Sequence, residues 1–199
     1  TLIKLTAPGI PDLYQGTELW NFSLVDPDNR RPVDYALRRR LLQELAALSP
    51  ETIWSRRREG LPKLWIIQQA LRIRRERPQA FGAAGEYIPL QATGDKHEHV
   101  VACARGGEIV AIAPRWFMKL HADWGDTALD VPPGRWRNTF DGRVLNGGIC
   151  RLKDVLRTFA TLTGLNIAVD PDVHGSVTVD FVDVPWDQAL DLILRQNRL

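Results

Sequence analysis

At 199 residues, with 44% hydrophobic and 25% charged side chains, the chain has the composition of a folded soluble protein with room for one large or two small domains. Its formal charge of +2 divides into +4 over residues 1–148 (21 Lys+Arg against 17 Asp+Glu) and −2 over 149–199 (5 against 7), too little on either side to demand a nucleic-acid or membrane partner. Two cysteines, Cys103 and Cys150, rule out a disulfide scaffold, and no apolar run is long enough to span a membrane.

No initiator Met and no charged-then-apolar leader stands at the start, and Leu2 to Leu5 reads as a short apolar strand already under way, as in a segment of a longer chain. Pro8-Gly9 and Pro11 halt it, and a long polar loop follows to Pro32. Leu37, Leu41, Leu45 and Leu48 recur at helical spacing, with Asp34 as N-cap and Pro50 as stop. A second helix opens at Pro62, carries Leu64, Ile67, Ala70 and Leu71 on one face, and ends at Arg77-Pro78. The arginine runs 38–40, 56–58 and 72–77 are interspersed with Glu44, Glu51, Glu59 and Glu76, which favours solvated helix faces over a phosphate-binding stripe.

From Glu86 the pattern turns to short β-rich runs: Tyr87 to Leu90, His99 to Ala104, Ile109 to Ala113, Thr127 to Val131 and Trp136 to Phe140. Their spacing predicts a small β-sandwich, with Cys103 as a small buried hydrophobe. Gly106-Gly107 and Gly147-Gly148 read as turns. Beyond them Leu152, Val155, Leu156, Phe159 and Leu162 mark a helix ended by Gly164. A strand 165–169, an alternating strand through Val177, Val179 and Phe181, and a helix from Pro185 complete an α-β-β-α order.

The segment LTAPGIPDLYQGTELWNFSLVDPDNRRPVDY, with GLPKLWIIQQALRIRRERPQAF, HVVACARGGEIVAIAPR and DWGDTALDVPPGRW further on, resembles the late part of the maltooligosyl trehalose synthases, glucosylmutases of the α-amylase superfamily (glycoside hydrolase family thirteen). After Gly147-Gly148 the stretch LKDVLRTFATLTGLNIAVDPDVHGSVTVDFVDVPWDQALDLILRQNRL resembles the short N-terminal domain of secretins and TonB-dependent receptors, nearest the type IV pilus secretins. The resemblances imply an α+β, multi-part fold. Residues 1–85 would be the last strand and helices of a truncated (β/α)8 barrel, 86–148 a small antiparallel β-sandwich, and 149–199 a secretin-type α-β-β-α unit without its flanking strands. Residues 1–35, deprived of barrel neighbours, are expected to pack poorly.

Enzymes of this superfamily retain anomeric configuration through a carboxylate nucleophile and a nearby carboxylic acid. The synthase resemblance implies that a glucosyl intermediate is captured by the anomeric hydroxyl of the released glucose, converting a terminal α-1,4 link to the α,α-1,1 link of trehalose. It also places the two acids upstream of Thr1, so no catalytic residue is assigned here and the chain is expected to be inactive alone. What remains is the loop after the last barrel strand, where carboxylates, amides, guanidiniums and aromatic rings suit sugar hydroxyls and faces. Gln15, Glu18, Trp20, Asp26, Asp28, Asn29, Arg30, Arg31, Asp34 and Tyr35 supply these groups. The alternative is that Asp26 to Asn29 is turn chemistry and that Arg30 and Arg31 brace the loop.

His97 and His99 would face one side of a strand, but no third ligand is spaced for zinc, and no cofactor or metal is implied. Trp54, Trp65, Trp116, Trp124 and Trp136 read as core more readily than as sugar platforms, and Trp186 as a helix-face residue. The partners implied are a maltooligosaccharide and, through 152–199, secretion or pilus proteins. The synthase-like part points to the cytoplasm and the secretin-like part to the periplasm. Three functions compete: an inactive synthase fragment, a pilus interaction module with a passenger, and a maltodextrin-binding remnant.

Overall fold

The computed structural model describes residues 1–23, 30–120 and 123–156, which all lie in one compact unit, Thr1–Leu165. Of the secretin-like stretch only its first residues are described; the expected strands and second helix, with Trp186, lie outside the described residues.

The opening apolar run is a helix, α1 (Leu2–Thr6), and not the expected strand. A four-residue apolar run has no periodicity to separate the two, and a helix satisfies its own backbone groups where a lone strand needs a neighbour. Thr6 Oγ1 donates back to Leu2 O at 2.9 Å, and Leu5 is wholly buried against Ile67 and Ala70. Helix α2 (Tyr35–Leu45) starts as expected: Asp34 Oδ1 accepts from Leu37 N at 2.8 Å. Leu41 and Leu45 are buried, with Leu37 and Leu48 packed beside them.

Pro50 is a start and not a stop. It occupies the first turn of α3 (Pro50–Ser55), whose N-cap Ser49 accepts from Thr52 N. After a 3-10 turn (Arg57–Glu59), Gly60 at φ 84 leads into α4 (Leu61–Glu76). A Cβ on Gly60 would lie 3.0 Å from Trp20 N and 3.1 Å from Leu19 Cα, so glycine supplies both the left-handed turn and the close approach of the loop. Leu61, Leu64 and Trp65 of α4 join the α2–α3 core, while Ile67 and Ala70 meet α1; Leu71, expected on the buried face, is 41% exposed. Pro78 opens a short α5 (Pro78–Phe81).

Two three-stranded antiparallel sheets follow. In one, β3 (Val100–Arg105) lies between β1 (Tyr87–Leu90) and β4 (Ile109–Pro114); in the other, β5 (Ala128–Arg137) lies between β2 (Ala92–Thr93) and β6 (Val144–Arg151). No barrel closes among the described residues. The expected runs 127–131 and 136–140 are one strand, β5, interrupted by an irregularity between Val131 and Arg135 that accommodates Pro132-Pro133-Gly134. Between the sheets Val100, Ala102, Trp124, Leu129 and Val131 form the core, joined by Leu120 at the end of α6 (Phe117–Leu120).

Strand β6 was not anticipated. Gly147-Gly148 lies inside it, with Gly148 opposite Val131, and is therefore not a turn. A Cβ on Gly147 would come within 2.0 Å of Pro132 O, so this glycine is where two backbones touch. The strand passes into α7 (Leu152–Val155), where Leu152 N donates to Thr127 O at 2.9 Å and Leu152 and Leu156 enter the sandwich core. The apolar residues that open the secretin-like stretch are thus already packed between these sheets.

Candidate functional site

The loop 11–23 is tied down from two sides. Toward α2, Arg38 donates from Nε to Glu18 Oε2 at 2.9 Å and from a terminal nitrogen to Gly16 O at 2.7 Å, while the Tyr35 hydroxyl donates to Gln15 Oε1 at 2.9 Å. Toward α4, Trp20 Nε1 donates to Arg57 O at 2.6 Å, Lys63 Nζ donates to Leu19 O at 3.0 Å, and the Lys63 ammonium sits 5.9 Å from the Trp20 ring centroid. Burial, the neighbouring charge of Lys4, and against them the attraction of Glu18, leave the Lys63 ammonium below its ordinary pKa.

Of the residues singled out from sequence, Gln15 and Tyr35 pair, Glu18 is held by Arg38, Trp20 anchors to the α3–α4 connection, and Asp34 caps α2. Arg30 and Arg31 are exposed and engaged with other groups. Asp26, Asp28 and Asn29 lie outside the described residues. Sequence reasoning missed Arg38 and Lys63, which position the loop; Arg38 stood in an arginine run read as a solvated face, and nothing local marks Lys63. Tyr14, Trp20 and Tyr35 remain 44%, 47% and 51% exposed, and Phe22 86%. Amide, carboxylate, guanidinium and half-exposed rings on one loop are the chemistry that binds sugar hydroxyls and ring faces.

This loop does not line the main cleft. That cleft, about 670 Å³, lies between α4 and strands β4 to β6 and is lined in part by Gln69, Ile73, Val110, Trp136 and Phe140.

The remaining candidates resolve differently. His97 and His99 form a 3-10 turn and not a strand face; His97 Nδ1 lies 3.0 Å from Gly94 O, and His99 meets Trp116 edge-on. No group of three or more metal-ligand side chains gathers among the described residues. Trp65 and Trp124 are buried, Trp65 edge-on to Phe140 at 5.1 Å, and Trp136 is half-buried with Nε1 donating to Pro132 O. Trp54 is half-buried beneath Arg57, whereas Trp116 is 53% exposed with Arg115 stacked 4.1 Å above its ring. In the arginine runs, Arg56 pairs with Glu44 and Glu59, Arg72 with Glu76 and Arg77 with Glu108.

The described unit is a mixed one, helices followed by two antiparallel sheets, carrying a polar and aromatic loop at its front. Comparison with known proteins gives that arrangement a relative. The chain is 42% identical over 147 residues, 73% of its length, to a Mycobacterium tuberculosis protein assigned as a maltooligosyl trehalose synthase. It superposes on the solved maltooligosyltrehalose synthase of Arthrobacter ramosus with a TM-score of 0.67 and 40% identity over 79% of the chain. The chain spans only 17% of the first of these proteins and 20% of the second.

A second, shorter likeness is to the type IV pilus biogenesis and competence protein PilQ of Neisseria meningitidis, 36% identical over 63 residues, 31% of this chain and 8% of that protein. The shares matched to the M. tuberculosis and N. meningitidis proteins together exceed the whole chain, so the two likenesses overlap. No protein-family profile matches the sequence. The resemblances read from the sequence, to the synthases over most of the chain and to pilus secretins over a shorter stretch, both stand.

Proposed function

We propose that most of this chain is the closing part of a maltooligosyl trehalose synthase, in which the loop 11–35 forms part of the glucan-contacting surface. In this reading the chain contributes substrate contacts and no catalytic carboxylate, and it does not convert maltodextrin to trehalosyl products by itself. The observation that carries the reading is 40% identity to the solved synthase with a matching backbone over 79% of the chain. The Gln15–Tyr35 and Glu18–Arg38 contacts support it by presenting an amide, a hydroxyl and a carboxylate together on the loop.

Within this reading, Trp20, Tyr35 and Gln15 meet sugar directly and Arg38 and Lys63 act as positioning residues. The synthase-like part would work in the cytoplasm; no helix among the described residues is long and apolar enough to cross a membrane. Incubation of the purified chain with maltopentaose should release no non-reducing trehalosyl product; appreciable product would sink the claim that it is inactive alone.

The 36% identity to PilQ supports a second reading, in which residues 152–199 recognise secretion or pilus proteins. A pull-down with inner-membrane pilus proteins should recover them through this stretch, and an empty pull-down counts against it.

A further inference from the structure

Arg105, at the end of β3, is only 2% exposed, yet it donates no hydrogen bond among the described residues, and its Nε is fully buried without a partner. A guanidinium has five N–H donors, and an ionised group taken out of water without hydrogen bonds is costly. Its surroundings are aromatic: the guanidinium carbon lies 5.6 Å from the centroid of Phe81 and 5.8 Å from that of Tyr87. Ring faces attract a cation but cannot accept its in-plane N–H groups.

A second guanidinium shares the same ring. Arg74 sits 4.5 Å from the Phe81 centroid and donates to Leu5 O at 3.0 Å and Gly9 O at 3.1 Å. Neither arginine has an ion pair among the described residues. Glu108, on the turn after Arg105, has its carboxylate turned to Arg77 at 3.6 Å. Burial and the charge of Arg105 both depress the pKa of Arg74, as expected of two cations that share a site without a counter-charge.

The fold holds this pair in place. Gly106 packs so tightly on α5 that a Cβ there would lie 2.7 Å from Ala80 Cα, and Gly106 N donates to Glu86 O at 2.9 Å. Arg105 therefore cannot swing away with its turn. Two guanidiniums fixed about one ring, one of them with its donors unspent, lack only an acceptor with two or more oxygens, since a planar fork matches a carboxylate or phosphate.

The geometry points to an oxyanion site at Arg105 and Arg74, roofed by Phe81 and Tyr87, that takes the phosphate or carboxylate group of a small molecule. This site is separate from the loop 11–35 and stands or falls independently of the glucan reading.

The test is thermal unfolding of the full chain in sodium phosphate, sodium acetate and sodium chloride at matched ionic strength, with calorimetric titration of inorganic phosphate. Phosphate should raise the midpoint saturably where chloride does not, and the acetate arm distinguishes a site for phosphate alone from one that also takes carboxylates. Arg105→Gln should abolish the response. Arg105→Lys, which keeps the charge and loses the fork, should weaken apparent affinity about tenfold. If Arg105→Gln does not fold, Arg105→Lys and Arg74→Gln carry the test. Equal midpoints in chloride and phosphate, or a wild-type phosphate response in every variant that folds, would overturn the proposal.

Discussion

The Tyr35 hydroxyl donates to Gln15 Oε1 at 2.9 Å, closing the polar loop onto the first turn of α2. Both side chains are exposed, so the bond contributes little to stability and mainly fixes where two sugar-compatible groups stand. Tyr35→Phe should lower stability by less than ~1 kcal/mol in urea unfolding. In the same variant maltopentaose binding should weaken measurably. Unchanged binding would remove Tyr35 from the contact surface.

A second expectation concerns where the sandwich ends. Leu152 is wholly buried and Leu156 5% exposed, both in the core between the sheets, although the secretin-like resemblance has already begun there. Leu152→Ala should cost about 2–5 kcal/mol. A chain cut after residue 148 should lose most of the cooperative unfolding transition, whereas one cut after 156 should keep it. Equal stability of the two would show that α7 is dispensable.

Gly147 gives a sharper local test. Because a Cβ there would lie 2.0 Å from Pro132 O, Gly147→Ala must part β5 and β6 and should destabilise by about 1–3 kcal/mol or more. Gly142→Ala is the control with open space around the new methyl; its positive φ of 73° makes it a strain-only comparison. A loss at Gly147 no larger than that at Gly142 would contradict the close approach.

The thiols make a pH prediction. Burial raises the pKa of Cys103 above its ordinary value, against the opposing influences of Arg105 and Tyr87, and burial with the charge of Asp130 does the same at Cys150. Below the unfolded thiol pKa both states hold the proton and nothing changes. Above it the unfolded chain releases protons that the folded chain keeps, so stability should fall as pH rises toward the folded pKa values. Cys103 should resist alkylation near neutral pH until the chain unfolds, and rapid native labelling there would contradict its burial.

Much of this fold could be read from the residues, for identifiable reasons. The leucine spacing with Asp34 located α2, and Pro62 and Pro78 bracketed α4, because caps and prolines act locally. Leu2–Thr6 was misassigned because four apolar residues carry no period. Strand β6 was invisible because its glycines, usually turn formers, are needed where β5 bulges at Pro132–Gly134. At the candidate site, residue chemistry identified Gln15, Glu18, Trp20 and Tyr35, but Arg38 and Lys63 reach the loop from 20 and 44 residues away, a relation that only the folded helices create. The unspent donors of Arg105 are likewise a property of packing and leave no mark in sequence.

The account turns on a glucan-contacting loop that works without catalytic carboxylates in this chain. Calorimetric titration of maltopentaose into the purified chain tests both halves at once: the account predicts a saturable binding heat that returns to baseline after each injection. A flat titration would remove the contact surface, and a sustained heat of turnover would contradict the absence of catalysis.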